Sequence, residues 1–354
     1  MTDIAGETAG LVWHDPREAP FRIDGFAWLA EEGVYRRLPR RPAHPLPPAV
    51  DELASHTAGG QIRFRTDSAG LSVQVRLAGP ANMNHMPVTG QCGFDCYLGP
   101  PGRQHYCNTA KYDQTQTEYT FTMFEGLARE MRDVTLYFPL YQGVREVRIG
   151  LDRGAERLAP PPYASEKRIV IYGTSITQGG CAARPGMAYP NVLSRRIDAE
   201  FINLGFSGSG KGEAEVARLV AEVPNPGLLV LDYEANCVSP ELFRETLPAF
   251  IRIYREAQPD VPILVLSQIR FARETFDLDL RDLRLLRKQI QIETVHACRE
   301  RGDERIWFHD GGELLGPDYH ECTVDGIHPT DLGFARMAEG LAPILRRYMD
   351  GGGR

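Results

Sequence analysis

The chain has 354 residues, 42% of them apolar, and a formal net charge of -7 with Lys and Arg interspersed among Asp and Glu. That length exceeds one ordinary domain and suits two, each with enough apolar content for its own core, while the acidic balance leaves no electrostatic footprint for a nucleic acid. No stretch approaches the roughly 20 apolar residues of a membrane span, and the first ten residues form neither a basic nor an apolar leader, so no membrane partner and a cytoplasmic location are expected.

Up to about residue 160 the signals are those of β-structure. Residues 61–65 and 71–77 flank a turn at 67–70 and predict a hairpin, and further strands are predicted at 93–98, 119–124, 134–138 and 144–151. Many short strands with Gly and Pro turns, and hardly any helical periodicity, predict an all-β jelly-roll or sandwich domain over residues 1–160. A proline-stiffened segment at 158–163 forms the predicted linker. Beyond it, apolar strands at 169–172, 201–204, 228–231, 263–266 and 306–308 alternate with helical periodicity at 213–223, 240–256, 280–301 and 331–348. That alternation predicts an α/β domain over 161–350, a flavodoxin-like, doubly wound parallel sheet of about five strands. The terminal Gly351-Gly-Gly-Arg354 is expected to be disordered. The seven cysteines form no C-x-x-C pair and, being odd in number, cannot all close within one chain, which suits a reducing compartment.

The chemistry concentrates at the predicted strand ends, where open α/β sheets place their ligands. Ser175 follows the first parallel strand in Tyr172-Gly-Thr-Ser175, and Asp325-Gly-Ile-His328-Pro comes 150 residues later. A serine needs an imidazole to take its proton, and the imidazole needs an acid to fix its tautomer, so these two segments hold a candidate nucleophile, base and orienting carboxylate. A tetrahedral intermediate also needs hydrogen-bond donors. Asn203-Leu-Gly-Phe-Ser-Gly208 offers backbone N–H groups and Tyr233-Glu-Ala-Asn236 a side-chain amide.

Taken together these four segments resemble the GDSL, or SGNH, hydrolase superfamily. Gly173-Thr-Ser175 looks like its nucleophile block, with threonine in place of the usual aspartate; Gly208 and Asn236 match its glycine and asparagine blocks, and Asp325 with His328 its last block. The resemblance implies Ser175 as nucleophile, His328 as base and Asp325 as its orienter, with an oxyanion hole from the Ser175 and Gly208 N–H groups and the Asn236 amide. It implies ester hydrolysis through an acyl-enzyme on a small-molecule ester, with no metal or cofactor. Gly93-Phe-Asp-Cys-Tyr97 is similar to the G-x-D-L-Y signature of a β-sandwich domain preceding a subgroup of these enzymes, with cysteine for leucine. Two-domain relatives include carbohydrate esterases and acyltransferases, so short-acyl or acetylated carbohydrate substrates and transfer to an alcohol acceptor both stand as expectations.

Other readings compete for the same residues. Gly205-Phe-Ser-Gly-Ser-Gly-Lys-Gly212 nearly matches a phosphate-binding loop, with Asp232 placed to serve its magnesium, yet Gly212 stands where that motif needs a hydroxyl. Tyr97, Tyr106, Tyr112 and Tyr141 are candidates for an exposed aromatic stripe that recognises a glycan, although aromatic strand residues are more often core. Glu293 and His296 share a helical face as a surface pair, and His320 ranks second to His328 as a base. His309 with Asp310 reads as a structural hydrogen bond. Cys181, Cys237 and Cys322 read as buried small apolar residues, and Lys211 as a solvated residue near a helix start.

Overall fold

The structure is a computed structural model, and it describes residues 10–349. Gly351–Arg354 lie outside the described residues.

The first half folds as two antiparallel sheets packed face to face. One has the order Leu11–His14, Val144–Asp152, Leu71–Leu77, Glu118–Phe124; the other runs Arg157–Leu158, Gln61–Thr66, Arg132–Tyr137, Asp95–Leu98, His105–Thr109, with Arg22–Asp24 added along Gln61–Thr66. Period-2 alternation sends Val73, Val75, Val147 and Ile149 inward from the first sheet and Ile62, Phe64, Val134 and Leu136 from the second, and these side chains fill the space between. The hairpin predicted around the turn at 67–70 does not form. Gln61–Thr66 pairs with Arg132–Tyr137, and Leu71–Leu77 pairs with Glu118–Phe124 and Val144–Asp152. The turn is an arch between sheets: Ser68 is buried, and Asp152 accepts the Ala69 and Gly70 N–H groups, so the turn is tied across to a distant strand.

The second half is a five-stranded sheet, all parallel, in the order Phe201–Gly205, Arg168–Gly173, Pro226–Asp232, Ile263–Leu266, Ile306–His309. This is the flavodoxin-like order, and its switch point lies beside the first strand, where chain connections leave in opposite directions. Alternate strand residues serve opposite faces. Val170, Tyr172, Leu229, Leu231 and Val265 pack under the helices Ala214–Glu222, Pro240–Ala257 and Leu278–Glu300, while Ile169, Ile171, Val230 and Leu264 pack under Tyr189–Ser194 and Asp331–Met349. Leu38, Val50 and Ala54 from the first half join one of these cores, and Ala58, Leu140 and Tyr141 join the other. Shared cores fix the β-sandwich against the α/β sheet near the site. Among the described residues no helix is long and apolar enough to cross a membrane.

Candidate active site

Ser175 is the first residue of a one-turn helix, Ser175–Gln178, that begins where the strand Arg168–Gly173 ends. Gly173 is required at that junction, because a Cβ there would meet Thr177 Oγ1 at 2.0 Å. The threonine that replaces the usual aspartate caps the turn: Thr174 is extended, and its side chain accepts the Ile176 N–H at 3.1 Å. The Ser175 N–H, at the first helical position, has no intrahelical acceptor and stays available to a ligand.

The Ser175 hydroxyl lies 2.9 Å from His328 Nε2, and His328 Nδ1 lies 2.7 Å from Asp325 Oδ2. The local sequence builds the second contact. Asp325 Oδ1 accepts the backbone N–H groups of Ile327 at 3.0 Å and His328 at 2.8 Å, closing a turn in which Gly326 takes φ +89° and the other carboxylate oxygen faces the imidazole. Partial burial pushes the Asp325 carboxyl up, but the His328 and Ile327 donors outweigh it and hold the group below the ordinary carboxylate range. Asp325 is therefore an anion at neutral pH, which keeps the proton on Nδ1 and leaves Nε2 free to accept one from serine.

The two remaining predicted residues follow the strands Phe201–Gly205 and Pro226–Asp232, which flank the serine strand on either side. Gly208 has φ +65°, open space around its missing Cβ, and an N–H with no acceptor among the described residues. Asn236 donates to the Phe206 carbonyl at 3.1 Å, which fixes the amide beside the loop that carries Gly208. All five predicted site residues thus stand at the carboxyl ends of adjacent strands or in the loop before the last helix.

The competing readings meet structural obstacles. In the phosphate-loop segment the N–H groups of Ser209 and Gly210 are taken by Phe206 O, that of Gly212 by Tyr172 Oη and that of Lys211 by Glu213. Asp232 is half-buried, and its Oδ2 is taken up by the Thr177 and Tyr189 hydroxyls, which both donate to it. Of the four tyrosines, Tyr97 and Tyr141 are buried, Tyr112 stacks on Tyr119, and Tyr106 alone is well exposed. Glu293 and His296 do not pair, since Gln289 donates to Glu293 and His296 faces Glu300. His320 is exposed beside Glu321, whereas His328 alone meets the serine. Asp310 accepts from Ser267 and Lys288, a structural role. Cys181, Cys237 and Cys322 are buried free thiols, and Lys211 is half-buried.

Sequence reasoning missed what the β-sandwich contributes. Tyr141 Oη donates to the Ser175 carbonyl at 3.2 Å, and His85 brings its ring centroid within 5.9 Å of that of His328. Asp95 and Tyr97 of the G-x-D-C-Y segment hold the loop that follows the serine helix: buried Asp95 accepts from Arg184 at 2.8 Å and from Gly186 N–H at 2.7 Å, and Arg184 also donates to Tyr97. Gly186 admits this grip, because a Cβ would sit 2.5 Å from Tyr97 Oη. A cavity of about 900 Å³ lies elsewhere, between Pro240–Ala257 and the turn at 301–305, at the opposite end of the sheet from Ser175.

Two carboxyls, half-buried Asp232 and buried Glu234, follow one another at the end of the strand Pro226–Asp232. Burial pushes Asp232 up to about 7 and Glu234 up to about 8, the latter against the opposing pull of the Gln268 N–H and Arg287. A carboxyl whose pKa is raised by folding keeps its proton in the native state while the unfolded chain loses it. Stability therefore falls as pH rises through that window and levels off above the folded pKa. Glu234→Gln removes one such group. Between pH 6.5 and 8 the wild type should lose on the order of 2 kcal/mol more than this variant. Urea unfolding across that range checks it, and equal slopes would refute the buried-acid reading. The range avoids His56, which burial pushes down to about 4 and which acts with the opposite sign below pH 6.5.

A serine, an imidazole and a carboxylate in series at the carboxyl edge of a flavodoxin-like sheet, behind a β-sandwich, define the class of SGNH-type α/β hydrolases. The chain belongs to the GDSL-like lipase/acylhydrolase family, which residues 166–346 match, and residues 11–156 match the GxDLY domain found at the N-terminus of SGNH-hydrolase-type esterases. It is similar to a GDSL-like lipase candidate from Bacteroides ovatus, with 29% identity, a TM-score of 0.89, and coverage of 96% of this chain and 98% of the other. The salicylyl-acyltransferase SsfX3 of a tetracycline biosynthetic pathway shares the fold at 21% identity and TM-score 0.74, covering 96% and 97%. A family two carbohydrate esterase from Cellvibrio japonicus does so at 14% identity and TM-score 0.62, covering 96% and 98%. No curated protein matches the chain.

Proposed function

We propose that this hydrolase is a serine esterase that cleaves a carboxylic ester through an acyl-enzyme on Ser175. The reading rests on one observation, the unbroken series Ser175 Oγ to His328 Nε2 at 2.9 Å and His328 Nδ1 to Asp325 Oδ2 at 2.7 Å. As Ser175 Oγ bonds to the ester carbonyl carbon, its proton passes to His328 Nε2 and the carbonyl electrons move onto oxygen. The Ser175 and Gly208 N–H groups and the Asn236 amide stabilise that oxyanion. The imidazolium, held by the Asp325 anion, returns the proton to the departing alcohol. Water then attacks the acyl-enzyme by the same route, releasing the acid and free Ser175. In this proposal residues 1–160 and 161–350 are the two domains, and the first shapes one wall of the site.

A fluorophosphonate probe should label the wild type at Ser175 and leave Ser175→Ala unlabelled, with ester turnover lost in that variant. Equal labelling of the two would end the proposal. Running the ester panel from acetyl to long acyl groups and acetylated sugars, with and without an alcohol acceptor, separates hydrolysis from acyl transfer.

A further inference from the structure

His85 and Cys181 have no part in the ester chemistry, yet both reach the catalytic pair. His85 is exposed on the segment that leads into the helix Val88–Cys92, and Cys181 is buried in the loop after the serine helix, with φ +73°. A non-glycine residue rarely takes that conformation, so the loop holds the thiol in place against a local preference. Together with Asp325 and His328, each of these side chains offers one donor atom, and the four donors lie within 4.8 Å of one another. They come from three separate stretches of chain and from both halves of the molecule.

We propose that His85, Cys181, Asp325 and His328 form a binding site for a zinc-class divalent cation, and that occupancy of the site arrests the esterase. The donor set of two imidazoles, one thiol and one carboxylate matches the borderline-soft preference of zinc and its neighbours and not the all-oxygen shells of magnesium or calcium. Donors of a tetrahedral zinc site stand about 3.5 Å apart, so a contraction of about 1 Å completes the shell. Exposed His85 can supply much of it. Binding displaces the Cys181 proton to solvent, because the thiolate is the ligand. His328 cannot serve both roles. With a metal on either nitrogen its imidazole gives up either the Ser175 contact at Nε2 or the Asp325 contact at Nδ1, and proton transfer stops.

The arrest rests on the esterase reading, whereas the site does not, and the test separates them. Zinc chloride is titrated against a chromophoric chelator with the full chain and with Ser175→Ala, which keeps all four ligands. Both should bind one zinc ion per chain. His85→Ala and Cys181→Ser should each weaken binding by more than about tenfold, since loss of even an outer-shell partner costs that much. Ester turnover of the wild type should fall in step with zinc occupancy and return on adding EDTA, while His85→Ala, measured against its own metal-free rate, should need correspondingly more zinc. The site is refuted if Ser175→Ala binds no zinc, if both ligand variants bind as tightly as the wild type, or if magnesium competes on equal terms. Zinc bound through these residues with turnover unaffected would overturn the arrest.

Discussion

His328→Ala is expected to lower kcat for ester hydrolysis by roughly 10⁴-fold or more, and combining it with Ser175→Ala should cost almost nothing further. The reason lies in the serial geometry. In the proposed series Ser175 Oγ meets His328 Nε2 at 2.9 Å and His328 Nδ1 meets Asp325 at 2.7 Å, so removal of either end would disable the same proton transfer. Asp325→Asn belongs to the same unit but acts differently. An amide can still bond to the ring, yet it donates where the carboxylate accepts, and it favours the wrong tautomer. It should leave folding intact and still lose about 10⁴ in kcat. Steady-state kinetics of the three single variants and the Ser175/His328 double variant would check this. Multiplicative losses in the double variant would mean that the two residues act independently, and the series would not be a catalytic unit.

Much of the α/β half was legible in the sequence because its strands are buried on both faces. Ile169–Tyr172 and Leu228–Leu231 are continuous apolar runs, and only a parallel sheet covered by helices on each side hides such runs completely. The candidate site was legible for a related reason: Ser175, Gly208 and Asn236 each follow the end of such a run, while Asp325 and His328 share one short turn before the last helix. The β-sandwich was harder. A polar turn between two alternating strands reads as a hairpin, and nothing local to residues 61–77 says that Asp152 will capture the turn and send the chain to the other sheet. Tyr97 and Tyr141 read as exposed because their polar ends suggest water. Tyr97 is instead covered by the Arg184 and Arg195 guanidinium groups, and Tyr141 is buried against the Ser175 carbonyl and the His56 ring.

The two tyrosine misses share a cause, which is that the partners Arg184, Arg195 and Ser175 lie in the other half of the chain. The β-sandwich holds three loops of the site: Tyr141 holds the serine turn, Asp95 and Tyr97 hold the Arg184 loop, and Arg37 holds the loop leading to Gly208. No periodicity within one segment encodes a contact of this kind. A motif such as G-x-D-x-Y is then explained by what it grips: a buried carboxylate aimed at Arg184 and at the Gly186 N–H, and a phenol that packs on a glycine.

Arg37→Met should be the most destabilising single change outside the catalytic series, at about 3–5 kcal/mol, and should also lower kcat. Arg37 is fully buried, and among the described residues its guanidinium has no carboxylate partner. It donates to backbone carbonyls of both halves: Leu53 at 2.7 Å and His56 at 2.9 Å on one side, Gly205 at 2.5 Å on the other, while lying 4.7 Å from the Phe206 ring centroid. Burial pushes its pKa down to about 9, so the guanidinium stays charged at neutral pH, and these carbonyls solvate that charge. Methionine fills much of the volume but removes the guanidinium donor from the His56 and Gly205 carbonyls and leaves Leu53 O only the His56 N–H, at about 1–3 kcal/mol for each buried acceptor left unpaired. The loop released on the far side runs through Gly205 and Phe206 to Gly208, the proposed oxyanion donor. The loss should therefore appear in kcat, by about tenfold or more, with KM little changed, because an oxyanion donor acts only in the transition state. Arg37→Lys retains a cation and some of the donors and should recover part of both losses. Urea unfolding and steady-state kinetics on the two variants decide the matter. If Arg37→Met unfolds at the wild-type midpoint, or if its defect falls entirely on KM, Arg37 does not hold the Gly208 loop.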